Sequence, residues 1–360
     1  YYGLEGVFNW VDSDARVTNI ETGESNPVQT RYPDGSTWQS YAGFVNYEHE
    51  FSPRLNVTTG ARYNQYLIDA PFSDRFFDFP FDEAENSEGA LTGSLGSVFR
   101  PDETWKINAH ISTGFRAPNI DDIGKVFDSE PGSVVVPNPN IDAEYAWNFE
   151  MGMEKTLAED FTIDVTGFYT ILNDALVRRD FTFNGQDSIR FDGTLSQVQA
   201  LRNASDAWVW GIQGGIDWQV SSAFQIRSRI NFQEGEQEDE NGNNFALRHI
   251  APLFGRTHFI LEPQGRKYKI ELNLVYNGSI PFEDLAPSER GKPHLYATDE
   301  NGNPFSPAWY TLNLKSSYRI NENVTINFGL ENMTDQRYRT YSSGIAAPGI
   351  NAVAAIRAHL

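Results

Sequence analysis

The sequence predicts an all-β fold, a transmembrane antiparallel β-barrel with about fourteen strands in its 360 residues. Three observations carry this reading. Apolar side chains recur at every second position over most of the chain, which puts them on one face of extended strands. No comparable stretch carries the spacing of an amphipathic helix. The connections between strands alternate between short and long along the chain.

Over 105–115 the apolar set is Trp105, Ile107, Ala109 and Ile111, and over 161–169 it is Phe161, Ile163 and Val165. Phe224, Ile226, Ile230 and Phe232 then face away from Gln225, Arg227, Arg229 and Asn231. Tyr268, Ile270, Leu272, Leu274 and Tyr276 face away from Lys267, Lys269, Glu271 and Asn273. The sets Tyr310, Leu312, Leu314, Tyr318, Ile320 and Val324, Ile326, Phe328, Leu330 come last. Short turns fall at Ser52-Pro53-Arg54, Pro101-Asp102-Glu103, Ala158-Glu159-Asp160, Ser221-Ser222-Ala223, Pro263-Gln264-Gly265 and Asn321-Glu322-Asn323. Long polar or Gly/Pro-rich segments lie at about 12–37, 71–88, 116–143, 178–200, 233–250, 277–308 and 333–349.

Loops longer than about 12–15 residues are uncommon in a compact soluble domain, so a regular long–short series argues against a sandwich. Short turns at one rim and long loops at the other are the pattern of bacterial outer-membrane barrels. Trp10, Trp38, Tyr66, Trp105, Trp218, Phe232, Tyr276 and Trp309 sit at strand ends, where interfacial aromatic girdles lie. The chain reads as one domain without a linker.

Composition narrows the chemistry. Lys and Arg number 28 against 49 Asp and Glu, a formal net charge of −21 that excludes a nucleic-acid binder built on a basic face. The mean hydropathy of −0.49 is polar for a membrane protein, but only the outward half of each barrel strand meets lipid. Cysteine is absent, which removes disulfides, Cys-ligated zinc, iron–sulfur clusters and thiol catalysis. The six histidines form no ligand pair, and no nucleophile elbow, Walker loop or dinucleotide fingerprint occurs. We therefore expect no enzyme, catalytic residue, cofactor or metal site. Asp239-Glu240-Asn241-Gly242-Asn243 and Asp299-Glu300-Asn301-Gly302-Asn303 read as Asn-Gly hairpin tips within long loops. Acidic runs such as Glu234–Glu240 are expected in the loops. The opening Tyr1-Tyr2-Gly3-Leu4 lacks a leader's basic and apolar regions and reads as a mature or truncated start.

The most specific feature is Thr113-Gly114-Phe115-Arg116-Ala117-Pro118-Asn119 followed by Val136-Pro137-Asn138-Pro139-Asn140-Ile141-Asp142-Ala143-Glu144. Pro118 stops a strand by removing a ladder donor, Pro137 and Pro139 stiffen the re-entry, and Arg116 and Glu144 are placed to pair across the loop base. These segments resemble the paired "GFRAP" and "NPN" boxes of TonB-dependent outer-membrane receptors. Trp309–Lys315, Phe328–Arg339 and Ala347–Asn351, together with Thr30–Gly35, extend the resemblance over most of the chain, closest to receptors of Bacteroidetes type. Two departures stand out. The family's barrels usually end on an aromatic, whereas this chain stops at His359-Leu360, and 119–137 lacks the histidine typical of haem receptors.

The resemblance implies a barrel of roughly 22 strands closed by an N-terminal plug that engages the TonB complex. This chain then corresponds to the C-terminal part, with the plug and about eight strands outside it. The implied place is the outer membrane of a Gram-negative bacterium, against lipid and lipopolysaccharide. The implied function is TonB-dependent uptake of an iron chelate, a ferric siderophore first and haem second. Cobalamin, glycan and peptide uptake stay open, as does a complete passive channel of about fourteen strands. The expected partners are the plug, TonB, a small-molecule substrate and a surface lipoprotein.

Candidate site residues fall in three groups. Phe72, Phe76 and Phe77 in one loop and Arg178, Arg179 and Phe181 in another are candidates for ligand contact, with loop-to-loop packing as the competing reading. The box residues Phe115, Arg116, Ala117, Pro118, Asn138, Pro139, Asn140 and Glu144 form the second group. Arg227, Arg229, Lys267, Lys269, Lys315 and Arg319 lie on polar strand faces near short turns. They are expected either to meet the plug or to line a solvated wall balanced by carboxylates such as Glu271.

Overall fold

The computed structural model describes residues 1–359 apart from 77, 131, 204–205, 239–242 and 266, and apart from the side chains of 128–130. Fourteen wall strands run in sequence order through one sheet: β1 (Tyr2–Trp10), β2 (Thr37–Ser52), β3 (Leu55–Pro71), β4 (Glu83–Phe99), β5 (Trp105–Arg116), β6 (Glu144–Ala158), β7 (Phe161–Asn173), β8 (Ala207–Ser221), β9 (Phe224–Glu238), β10 (Phe254–Leu261), β11 (Tyr268–Asn277), β12 (Trp309–Arg319), β13 (Val324–Glu331) and β14 (Asn351–Ala358). Each pairs antiparallel with its neighbours in sequence. Among the described residues β1 pairs only with β2 and β14 only with β13, so the wall is part of a barrel and not a closed ring of fourteen. A complete passive channel of that strand number is not what these residues form.

Pairing register sorts the side chains onto two faces. Ile111, Phe149, Tyr169 and Trp210 stand directly opposite one another across four strands. Ile111, Phe149 and Tyr169, with Tyr41, Tyr63, Leu91, Leu95 and Met151, form a broad exposed apolar face, and Trp210 beside them is half-buried. In water such a surface would be unfavourable, whereas hydrocarbon covers it without cost. The other face carries Ser40, Asn64, Asp164, Asp217, Arg227, Arg229, His258 and Asn273, many of them bonded to one another. Glycine is required at Gly255, where a Cβ would lie 2.6 Å from the Arg229 carbonyl oxygen and collide with the Tyr276 ring.

The six short turns fall where the sequence places them, and the loops at the opposite ends differ in detail. The segment expected over 71–88 is shorter, because β4 begins at Glu83 and turns Ala84 and Ala90 onto the buried face beside Tyr66, Ile68 and Ala70 of β3. The acidic run from Glu234 belongs to β9 through Glu238. The segment expected over 178–200 lies within a longer connection, 174–206, which builds its own small sheet from Leu176–Asp180, Ser188–Phe191 and Thr194–Asn203. Ser133–Val135 joins that sheet in parallel, tying two loops together. The tip at 239–242 lies outside the described residues. Its counterpart is a turn in which the Asp299 carboxylate accepts from the Asn301 and Asn303 amides at 2.8 Å, with Gly302 at φ 86°.

Candidate functional site

The long loops pack into a cap at one end of the wall, and the two boxes form its base. The chain leaves β5 at Arg116, buries Pro118, and enters the short helix α1 (Ile120–Gly124) through Asn119. The Asn119 side chain accepts from the Asp122 amide and the Asp122 carboxylate accepts from the Asn119 amide, both at 3.1 Å, a reciprocal cap that starts the helix. Arg116 donates to Asp122 at 2.6 and 2.8 Å and to Glu144 at 3.1 Å. Glu144 also accepts from the Leu176 amide, which draws in the 174–206 loop. The Trp38 indole donates to the Pro118 carbonyl at 3.0 Å. Buried Asn138 donates through its amide to Ile123 and through its side chain to Leu201. Phe115 and Ala117 pack with Ile120, Ile123 and Ile141 against Tyr66 and Ile68. Pro139 is partly buried and Asn140 is exposed.

Above this base the phenylalanines meet. Phe79 and Phe183 are buried with Val126, Val134, Val136 and Val198, and Phe72, Phe81 and Phe181 pack around them. Phe72 and Phe181 thus lie partly buried between loops, while Phe76 is 43% exposed beneath the Arg75 guanidinium. Phe77 lies outside the described residues. Arg178 stands over Phe127, with its guanidinium carbon 5.6 Å from the ring centre, and Arg179 stands over Phe245 at 5.8 Å. Two cations not singled out in the sequence share the Phe127 ring: Arg31 at 4.6 Å and Lys125 at 5.5 Å. Asp121 pairs with both, at 3.0 Å to Arg31 and 2.7 Å to Lys125. Burial tends to raise the Asp121 pKa, but the two cations outweigh it and hold the carboxyl below its ordinary value.

The later loops gather around Glu289 in the short helix α2 (Pro287–Arg290), a carboxylate that no sequence pattern singles out. Its side chain is fully buried, yet it meets Arg248 from 239–253, Lys292 and Tyr296 from its own loop, and Ser342 from 332–350. Burial favours the neutral acid, but the Tyr296 hydroxyl, Arg248, Ser342 and Lys292 together lower the pKa. The Tyr296 hydroxyl moves up, through burial first and its carboxylate partner second. The feet of 332–350 are tied by Asn332, in the left-handed region at φ 48°, whose side chain donates to the Gln336 and Pro348 carbonyls at 2.9 and 3.0 Å.

The six polar-face cations lie near the short turns, most of them beside a carboxylate. Arg227 and Arg229 both bind Asp217, and Arg229 also lies 3.7 Å from Asp164. Lys269 pairs with Glu262 at 3.4 Å, Lys267 donates to the Ile320 carbonyl at 3.0 Å, and Lys315 stands opposite Glu271 in the ladder. Arg319 lines a depression with Lys267, Glu262 and Glu322 beside the last two short turns. Asp217 was legible in principle, because the 221–223 turn sets a register that puts it opposite Arg227. Among the described residues no three acidic or histidine side chains cluster as metal ligands.

A sheet with one apolar and one polar face, short turns at one rim and packed loops at the other is the wall of a membrane-spanning β-barrel. The chain belongs to the TonB-dependent receptors: the family model described as "TonB dependent receptor-like, beta-barrel" matches residues 1–333. Their place, and that of this chain, is the outer membrane of Gram-negative bacteria. The hemoglobin-haptoglobin utilization protein B of Neisseria meningitidis is 22% identical over 314 residues, covering 81% of this chain and 37% of that protein. The pesticin receptor of Yersinia enterocolitica is 21% identical over 320 residues, covering 85% of this chain and 40% of its own length. The chain thus spans about two-fifths of these relatives, 37% and 40%. Among solved structures, the copper transporter OprC superposes with a TM-score of 0.77 at 13% identity, covering 99% of this chain and 53% of that one. The hemophore receptor HasR of Serratia marcescens gives 0.71 at 14% identity, covering 99% and 55%. At such identities the structures show the fold alone. The relatives are transport receptors and not enzymes. The narrower likeness to Bacteroidetes receptors is not carried by these proteins.

Proposed function

We propose that this chain forms part of the barrel of a TonB-dependent importer of an iron chelate, a ferric siderophore first and haem second. The long loops face the exterior and capture the ligand. TonB acts through the plug, and the ligand passes along the polar face. The observation that carries the reading is the loop cap, where three loops bring Arg31, Lys125 and Arg178 around the Phe127 ring. Aromatic surface with a few placed cations is the chemistry that holds an anionic metal chelate. The relatives lend support, since one is named for haemoglobin–haptoglobin use. The absence of histidine from 119–137 keeps haem second.

Growing the host with and without iron tests this reading. Abundance of the protein is expected to rise several-fold on iron restriction. An unchanged level would turn the assignment towards cobalamin, glycan or peptide.

A further inference from the structure

Below the loop cap the polar face of the wall is electrostatically lopsided. On β1–β6 it carries Glu5, Glu48, Glu50, Glu150 and Glu154, with Arg62 and Lys106 in return. On β9–β12 the sign reverses. Arg229 stands opposite Arg256 in the ladder, and Arg227 stands opposite His258 in the next row towards the turns. Lys315 follows opposite Glu271, and Lys269 follows opposite Ser317. Arg319, whose amide donates to the Lys267 carbonyl, closes the series at the short turns. Along β11 and its turn these rows fall at Val275, Asn273, Glu271, Lys269 and Lys267, every second residue, so each row of the polar face carries a cation.

Successive rows are about 7 Å apart, twice the rise per residue of a strand. That is within the screening length of about 8 Å at physiological ionic strength, so an anion leaving one cation already feels the next. The cations also alternate in strength. Arg227 and Arg229 share Asp217, and Lys269 meets Glu262, so their fields are partly cancelled. Arg256, Lys315 and Arg319 make no side-chain hydrogen bond or ion pair among the described residues. A path for a charged solute needs sites strong enough to admit it and weak enough to release it. Paired and unpaired cations in alternate rows meet both needs, and the glutamates of β1–β6 turn an anion towards β9–β12. Arg256 comes first on the way in, two residues past Phe254 at the loop end of β10.

We propose that these rows are the track along which an anionic metal chelate crosses the lumen, with Arg256 as its first hold below the cap. The track presupposes the import proposed above, and it fixes the sign of the charge carried and the strands that carry it.

The receptor containing this chain, produced in iron-restricted cells with working TonB, is given radioactive iron as an anionic ferric triscatecholate or as a neutral ferric trishydroxamate. Arg256→Gln is expected to slow uptake of the anionic chelate about tenfold, while binding of that chelate to de-energised cells stays unchanged. Arg256→Lys should restore the rate, because the track reads charge and not shape, and Arg256→Glu should slow it further. Heat-modifiable migration verifies that each variant is folded. Uptake of the neutral chelate should respond to none of them. Undiminished anionic uptake in Arg256→Glu, or an equal loss for the neutral chelate, would overturn the proposal. So would a loss of binding in step with uptake, since Arg256 would then belong to the capture site. A plug made protease-sensitive by Arg256→Gln would overturn it too, since the cation would then hold the plug. No TonB-dependent uptake of either chelate by the wild type would instead refute the import on which the track depends.

Discussion

Replacing Glu289 by alanine is expected to release the loops 239–253, 278–308 and 332–350 together, while the wall stays intact. The carboxylate has no solvent exposure and satisfies Arg248, Lys292, Tyr296 and Ser342 from all three loops. Removing one partner of a buried charged network costs about 3–5 kcal/mol, because the others keep their desolvation without their bonds. Amide hydrogen exchange in these loops should therefore accelerate by about a hundredfold or more, and protease should cut there first. Glu289→Gln keeps the shape but not the charge and should fall between the two. The pH dependence has a definite sign. The folded-state pKa lies below the ordinary 4.5, so the stabilisation is present above that value and is lost as pH falls through the depressed one. Protection should hold from neutral pH to about pH 5 and fail only in stronger acid. Exchange that accelerates already near neutral pH would contradict this account of the clamp.

Arg116→Ala is expected to loosen the base of the other loops. Asp122 is 6% exposed and holds both its oxygens towards Arg116, whose own side chain is 46% exposed. That exposure places the cost below the fully buried case, at about 2–3 kcal/mol. The helix cap at Asn119 survives in the variant, but Asp122 loses its cation and Glu144 loses the partner that holds it under the Leu176 amide. Exchange should rise at 119–125 and at Leu176 together. Arg116→Lys should recover only part of the protection, since an ammonium cannot reproduce the fork that reaches two carboxylates. Full protection in Arg116→Lys would show that charge alone, without the guanidinium geometry, holds the base.

The wall was legible because strand alternation and turn residues are local signals. Tyr268 to Tyr276 and the turn at Pro263-Gln264-Gly265 announce themselves within a few residues, and register then follows from the turn. Arg116 and Glu144 could be paired in advance because three prolines and two strand ends frame them. The cap was less legible. Arg31 meets Asp121, Arg248 meets Glu289, and Asn184 donates to the Asp78 carbonyl across sequence separations that no local pattern records. The valines at 134–136 and 198 look like strand residues in either the wall or the loops, and only tertiary packing assigns them to the small sheet. Glu289, within Pro-Ser-Glu-Arg, carries the composition of a solvated turn, and its burial comes from loops that close over it.

We propose the chain as part of an energised importer. Uptake of radioactive iron, supplied as a ferric siderophore to iron-restricted cells with and without functional TonB, tests this most directly. Cells carrying the receptor should accumulate iron only when TonB works and should lose that uptake when the receptor gene is deleted. Receptor-dependent accumulation that continues at the same rate without TonB would mean passive diffusion and would contradict the account.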